Sequence, residues 1–210
     1  MARLRIVGTL LVLLALAACS AKFHAANVAG APAAKLDPAK PVLVAVPADG
    51  GYGDKITVGS GYMTAERTHR AFARYAKDVR LADANLRERD ALLDAARRQG
   101  AGYLAIPTIM VWEPRFTPFT GRRSHVTVQL AVIDVATGQD ISTVVLDGYS
   151  RKVTLARTRP QGLLPHMIGN HLAVLYGAKP VDEDEETEPE TESPQDMAPP
   201  ASAATTSPKN

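Results

Sequence analysis

The run PVLVAVP, residues 41–47, is apolar throughout between two prolines, and its reading decides the architecture. With no polar alternation it does not suit a sheet that has one wet face. It reads as a strand buried on both sides, which needs helices above and below its sheet, and the prediction is therefore an α/β domain. The chain that follows agrees. Thr64 is placed to cap a helix, with Glu66 in the first turn, where a carboxylate suits the helix dipole. Ala65, His69, Phe72, Ala76 and Val79 then recur at three- and four-residue spacing, which is the apolar stripe of an amphipathic helix.

Further along, Val79 to Ala82 alternates in polarity and predicts a short second strand. Asn85 and Glu88 form a candidate capping box. Leu86, Leu92, Leu93 and Ala96 give the buried stripe of a second helix, and Gly100 ends it in the left-handed conformation. Tyr103 to Trp112 is β-rich, but Pro107 requires a bulge or an edge position within it. Between His125 and Val135, Val126, Val128, Leu130 and Val132 share one face. Thr137-Gly138-Gln139-Asp140 supplies a turn, and Ile141 to Tyr149 returns, so 122–151 is an antiparallel hairpin. Pro165, Ile168, Leu172, Leu175 and Gly177 outline a third helix. The predicted order is β-α-β-α-β-β-β-α, a single α/β domain over 41–177 with a mixed sheet. Its roughly 137 residues suffice for one core and not for two.

The two ends are of a different kind. Met1 to Ala18 has a basic start at Arg3 and Arg5, an apolar run from Ile6 to Ala17, then small residues. This is the layout of a secretory signal, too short for a membrane span, which takes about 20 apolar residues. Leu16-Ala17-Ala18-Cys19 matches the bacterial lipobox, and Cys19 is the one cysteine of the chain, so no internal disulfide is available. The resemblance to bacterial lipoproteins implies a signal peptide over 1–18 and a Cys19 carrying a thioether diglyceride and an amide acyl chain. More than one chain, at about 0.8 kcal/mol per buried methylene, makes a stable membrane anchor. Ser20, in place of an Asp, implies sorting to the outer membrane with the domain facing the periplasm.

Residues 19–40 read as a flexible lipidated tether that, at about twenty residues, reaches roughly 70 Å. Residues 178–210 are acidic and then rich in Pro, Ala, Ser and Thr, with too little apolar bulk to fold. The formal charge of +2 hides a division. Residues 19–177 hold 20 Lys/Arg against 13 Asp/Glu, while 178–210 hold 2 against 9. A basic domain thus carries an acidic tail, which either folds back over it or leaves the domain to meet anionic lipid or cell-wall groups.

Several motifs agree in order: Val46-Pro47-x-Asp49-Gly50-x-Tyr52-Gly53, Gly59-Ser60-Gly61-x-Met63-Thr64-Ala65, Phe72-x-x-Tyr75, Gly102-Tyr103-Leu104, Trp112-Glu113, Val128-Gln129-Leu130-x-x-x-Asp134-Val135-x-Thr137-Gly138 and Pro160-Gln161-x-Leu163-Leu164-Pro165. Together they resemble an uncharacterised family of Gram-negative lipoproteins, a domain of unknown function. More loosely, the element order is similar to the amino-terminal domain of TolB and to lipoproteins of curli secretion and flagellar outer-membrane assembly. That likeness implies an assembly role and carries no chemistry.

The Gly59-Ser60-Gly61 turn at a helix start invites a phosphate reading. It has neither the lysine of a P-loop nor the third glycine of a dinucleotide loop, so no nucleotide is expected. Another anion at the helix end, met by Ser60 and Thr64, stays open. Trp112 beside Arg122 and Arg123 reads either as a clamp for a sugar or peptide stem or as a core tryptophan next to a solvated basic hairpin. The five histidines lack ligand spacing, so neither metal nor cofactor is expected. No G-x-S-x-G elbow occurs, and no catalytic residue is assigned. The envelope location argues against nucleic acid. The expected function is a non-enzymatic interaction or envelope-assembly module with an unidentified protein partner. The alternative is binding of an anionic glycan or lipid by the 49–64 loop and the basic hairpin.

Overall fold

The structure is a computed structural model that describes residues 22–27, 35–114, 123–150 and 159–180. Cys19, Arg122 and the acidic tail beyond residue 180 lie outside the described residues. In chain order the elements are β1 (Lys22–Asn27), β2 (Val42–Val44), β3 (Gly51–Tyr52), β4 (Lys55–Ile56), α1 (Ser60–Ala73), β5 (Val79–Leu81), α2 (Arg89–Arg98), β6 (Tyr103–Glu113), β7 (His125–Asp134), β8 (Asp140–Tyr149), a 3₁₀ turn (Pro160–Gly162) and α3 (Leu164–Tyr176).

Six strands form one mixed sheet in the order β1-β8-β7-β6-β2-β5, and β3 and β4 form a separate small hairpin. β2 runs parallel to both β5 and β6, as a doubly buried strand should. Its side chains divide between two cores. Val42 and Val44 point to the face covered by α1 and α3, and Leu43 with Ala45 to the face covered by α2. The helices had to fall on opposite faces. The crossover from β2 to β5 and the one from β5 back to β6 travel in opposite directions, and a constant handedness then places one helix above and one below.

α1 and α3 lie side by side over the larger core, with Tyr75 stacked on Tyr176 at 5.0 Å and Phe72 edge-on to it at 6.4 Å. α2 covers only one end of the opposite face, over Leu104 and Ile133. The expected C-terminal hairpin is present. β7 and β8 pair antiparallel, the Asp134 carboxylate accepts the backbone N–H groups of Ala136 and Thr137, and Gly138 turns the chain at φ 72°. Among the described residues no helix is long and apolar enough to cross a membrane.

Three expectations change. The segment read as a tether contributes β1, which pairs with β8 along six residues from Lys22 opposite Tyr149 to Asn27 opposite Val144. Phe23 holds it, packed against the large core with its ring 4.5 Å from that of His166. The first helix begins at Ser60, so Thr64 lies within it and does not cap it. The Asn85/Glu88 box does not form, because Asp83 accepts both the backbone N–H and the side-chain amide of Asn85 and turns that side chain backwards; α2 starts after Glu88. Pro107 takes the edge position expected of it, since it lies beyond Ala105, the last residue of β6 paired with β2, and meets a strand on one side alone. The bulge falls further on, between Ile109 and Val111.

Candidate functional site

The end of the sheet reached by the C-terminal part of β6 gathers most of the residues singled out from the sequence. Glu113 of β6 pairs with His125 of β7, His125 with Tyr149 of β8, and Tyr149 with Lys22 of β1. Over the same end lie the β3–β4 hairpin and the start of α1, because the chain leaving β2 continues alongside β6. A Cβ on Gly50 would meet the Ile109 side chain at 2.2 Å and Trp112 at 3.2 Å.

At the start of α1 each member of the Gly-Ser-Gly turn has a separate task. Gly59 takes φ 86°, a left-handed conformation that other residues adopt at a cost. Ser60 is fully buried; its hydroxyl donates to the Thr57 carbonyl at 2.6 Å and accepts the Gly50 N–H at 2.8 Å. A Cβ on Gly61 would stand 2.3 Å from the Pro47 carbonyl oxygen, which is backbone and has little room to yield. The positive helix end is occupied as well. The Asp49 carboxylate accepts the N–H of Gly61 at 2.8 Å and of Gly59 at 3.1 Å, the position an external anion would take.

The turn is thus a clasp that fastens the β3–β4 loop to the helix, and it leaves no cradle for phosphate. Thr64 is also fully buried, and its hydroxyl donates to the Ser60 carbonyl within the helix. The expectation that Ser60 and Thr64 hold an anion is therefore overturned. Their hydroxyls are engaged internally, and the negative charge that suits a helix end is supplied by Asp49. No local pattern pointed to Asp49, since the acceptor lies ten and twelve residues away from the groups it caps.

Trp112 settles the other open choice. It is 1% exposed, within the large core, and its ring offers no face to a sugar. Arg123 is half-buried just before β7, and its Nε is buried with no hydrogen-bond partner among the described residues. The clamp therefore loses its aromatic member, and Arg122 lies outside the described residues.

The structure also assembles groups that the sequence reading left apart. On the α2 side of the sheet, beyond the end that α2 covers, Asp147 Oδ1 accepts hydrogen bonds from Thr127 Oγ1 and from His125 Nε2, the latter at 2.7 Å, and the His125 ring stacks on Tyr149 at 4.1 Å. Burial first, and then the neighbouring Asp147, push the Tyr149 phenol above its ordinary value. This is a cross-strand polar ladder with no activated nucleophile in it. The legible signal was the alternation of polar residues on both arms of the hairpin. Among the described residues no group of three or more His, Cys, Asp or Glu side chains is placed to hold a metal ion.

Two further surfaces remain. An open groove of about 570 Å³ lies at the opposite end of the sheet, lined by Lys40, Arg97, Gly102 and Val135 among others. Both of its cations are engaged, Lys40 with Asp134 at 3.3 Å and Arg97 with Asp94 at 3.0 Å. The second surface is apolar. Tyr52, Ile56, Val58 and Tyr62, on and beside the β3–β4 hairpin, are all more than half exposed, and so is Met110 at the bulge of β6.

Compared with known proteins, the chain matches the family described as a domain of unknown function (DUF4823) over residues 34–175, and it belongs to that family. No curated protein matches its sequence. Among solved structures it is similar to a PelC dodecamer from Paraburkholderia phytofirmans, with 18% identity and a TM-score of 0.54, covering 76% of this chain and 99% of that one. A variant of that dodecamer gives 17% and 0.55, covering 76% and 100%. The C-terminal domain of LpoB from Salmonella enterica is further away, at 17% and 0.37, covering 58% and 88%. At such identities the PelC likeness is one of fold, and the LpoB likeness bears no further weight.

Proposed function

We propose that this member of the DUF4823 family is a lipid-anchored protein of the bacterial outer membrane whose periplasmic domain works as a non-enzymatic interaction or assembly module. The observation that carries the reading is the lipobox Leu16-Ala17-Ala18-Cys19 behind a short apolar run. Support for a binding rather than a chemical role comes from the Gly-Ser-Gly turn. The groups there that most resembled a reactive or anion-binding site are spent on holding a loop to a helix. The PelC relative is a dodecamer, and its fold covers most of this chain, which favours an assembly of like subunits.

The protein partner is unidentified, and no cofactor, nucleotide or nucleic acid enters the proposal. Binding of an anionic glycan or lipid through the 49–64 loop is not carried forward, because Asp49 already fills that helix end. The test is sedimentation of the full chain after extraction from membranes in mild detergent, with Cys19→Ala beside it. The unsubstituted chain is expected in the membrane fraction as a complex larger than one subunit, and the variant in the soluble periplasmic fraction. A monomer with no co-extracted partner would refute the assembly reading, and an unaltered distribution of Cys19→Ala would refute the anchor.

A further inference from the structure

β1 changes what the anchor can do. Were residues 19–40 a free tether, the domain could stand far from the bilayer. With Lys22 already paired to Tyr149, only Ser20 and Ala21 separate Cys19 from the sheet, and three residues of extended chain span at most about 11 Å. An acyl chain on Cys19 therefore brings one particular end of the sheet to the membrane surface, the end defined by Lys22, Tyr149, His125 and Glu113.

The exposed apolar side chains lie at that same end. The β3–β4 hairpin abuts Ile109 and Trp112 in the last part of β6 through Gly50. β6 and β1 are three strand spacings apart in the sheet, about 14 Å, so a flat surface can meet both the anchor and the hairpin. Ile56 is 71% exposed and Val58 87%, flanked by the half-exposed rings of Tyr52 and Tyr62, with Met110 exposed nearby on the β6 bulge. Aliphatic groups beside tyrosines suit the boundary between headgroups and acyl chains, where an aromatic ring can sit with its hydroxyl in water. In the sequence, the segments that follow Glu113 and Tyr149, residues 114–124 and 150–160, hold seven Lys/Arg and no Asp/Glu, a charge that suits anionic headgroups.

We infer that the β3–β4 hairpin is a membrane-contact element: beside the anchored first strand, Tyr52, Ile56, Val58 and Tyr62 enter the interfacial layer of a phospholipid bilayer. The inference rests on the lipid anchor proposed above and names the surface that the anchored domain meets. The clasp built from Asp49, Ser60 and Gly61 then acquires a purpose, because it holds the hairpin rigidly at the height of the sheet end.

The test uses the mature full chain, with its own anchor, in vesicles of phosphatidylethanolamine and phosphatidylglycerol. Cys19 is the one cysteine of the chain, so once it is acylated a single introduced thiol can be labelled uniquely. Spin labels at Ile56→Cys and Val58→Cys, both well exposed, are compared with one at Arg98→Cys, exposed at the far end of α2. At 56 and 58, collisions with oxygen are expected to exceed those with a water-soluble nickel chelate, and at 98 the order is expected to reverse. Equal nickel access at all three positions would overturn the inference while leaving the anchor intact. So would shielding of 56 and 58 from both reagents, which would mean that a protein surface covers them. Labelling of the unsubstituted chain at Cys19 would remove the anchor, and this inference with it.

Discussion

Trp112→Ala should lower the unfolding free energy by about 3–5 kcal/mol, the range for removing a large buried aromatic side chain. The reason lies in its position. Trp112 sits near the end of β6 at 1% exposure, in the cluster that also holds Val126 and Leu146, and Gly50 lies against its Cβ. Removing the ring opens a cavity in the core under the sheet end, while the Cβ against which Gly50 lies is kept. A domain of this size holds roughly 5–15 kcal/mol in all, so the substitution should shift the urea midpoint severely, and Trp112→Phe much less. If Trp112 instead stacked on a ligand at the surface, alanine there would leave the midpoint nearly unchanged. Equilibrium urea unfolding with fluorescence-independent detection, such as far-ultraviolet circular dichroism, separates the two.

Acidification should destabilise the domain through His171. Its imidazole, on α3, meets the hydroxyl of the nearly buried Ser142 at 3.2 Å, and burial lowers its pKa to about 4 from 6.5. The neutral ring is the form the native state keeps. Above pH 6.5 neither state binds the proton, and this contribution to stability is complete. As the pH falls from 6.5 towards 4, the unfolded chain takes up a proton that the folded chain refuses, and stability is lost. The loss should reach about 2–3 kcal/mol by pH 4.5, at 1.36 kcal/mol per pKa unit. Comparing urea midpoints at pH 7 and pH 4.5 for the natural chain and for His171→Gln, which can still meet Ser142 but does not titrate, isolates the term. The same acid loss in both proteins would assign it elsewhere.

What could be read from the sequence follows a physical division. β2, the three helices and the β7–β8 hairpin announce themselves because hydrophobic period, turn residues and helix-ending glycines are local signals, and these elements bury whole faces. β1 gives almost no such signal. As an edge strand it exposes His24, Ala25, Ala26 and Asn27, and Phe23 alone does most of its packing, so its sequence resembles a linker. The start of α1 lies five residues before the one Thr64 suggests, for a related reason: the groups at the helix end are met by a carboxylate from beyond the preceding hairpin, and capping rules look only at neighbours.

The candidate site divides in the same way. Ser60, Thr64 and Trp112 read in the sequence as candidate ligand-binding residues, since a serine between glycines and a lone tryptophan beside arginines require an explanation. Residue type alone does not say whether a hydroxyl or a ring faces solvent or the interior. That depends on contacts across the fold, with Thr57 and Gly50 around Ser60 and the sheet core around Trp112. The His125–Asp147 pair and the exposed hairpin side chains depend likewise on strand register and on where α2 stops, and neither is written in any short window.

The claim on which the functional account stands is that the chain is held to a membrane through Cys19. Intact-mass analysis of the mature protein extracted from membranes tests it most directly. The account predicts a polypeptide that begins at residue 19 and carries the added mass of a diglyceride and an amide-linked acyl chain. A mature chain beginning elsewhere, or one with an unmodified thiol at Cys19, would contradict it.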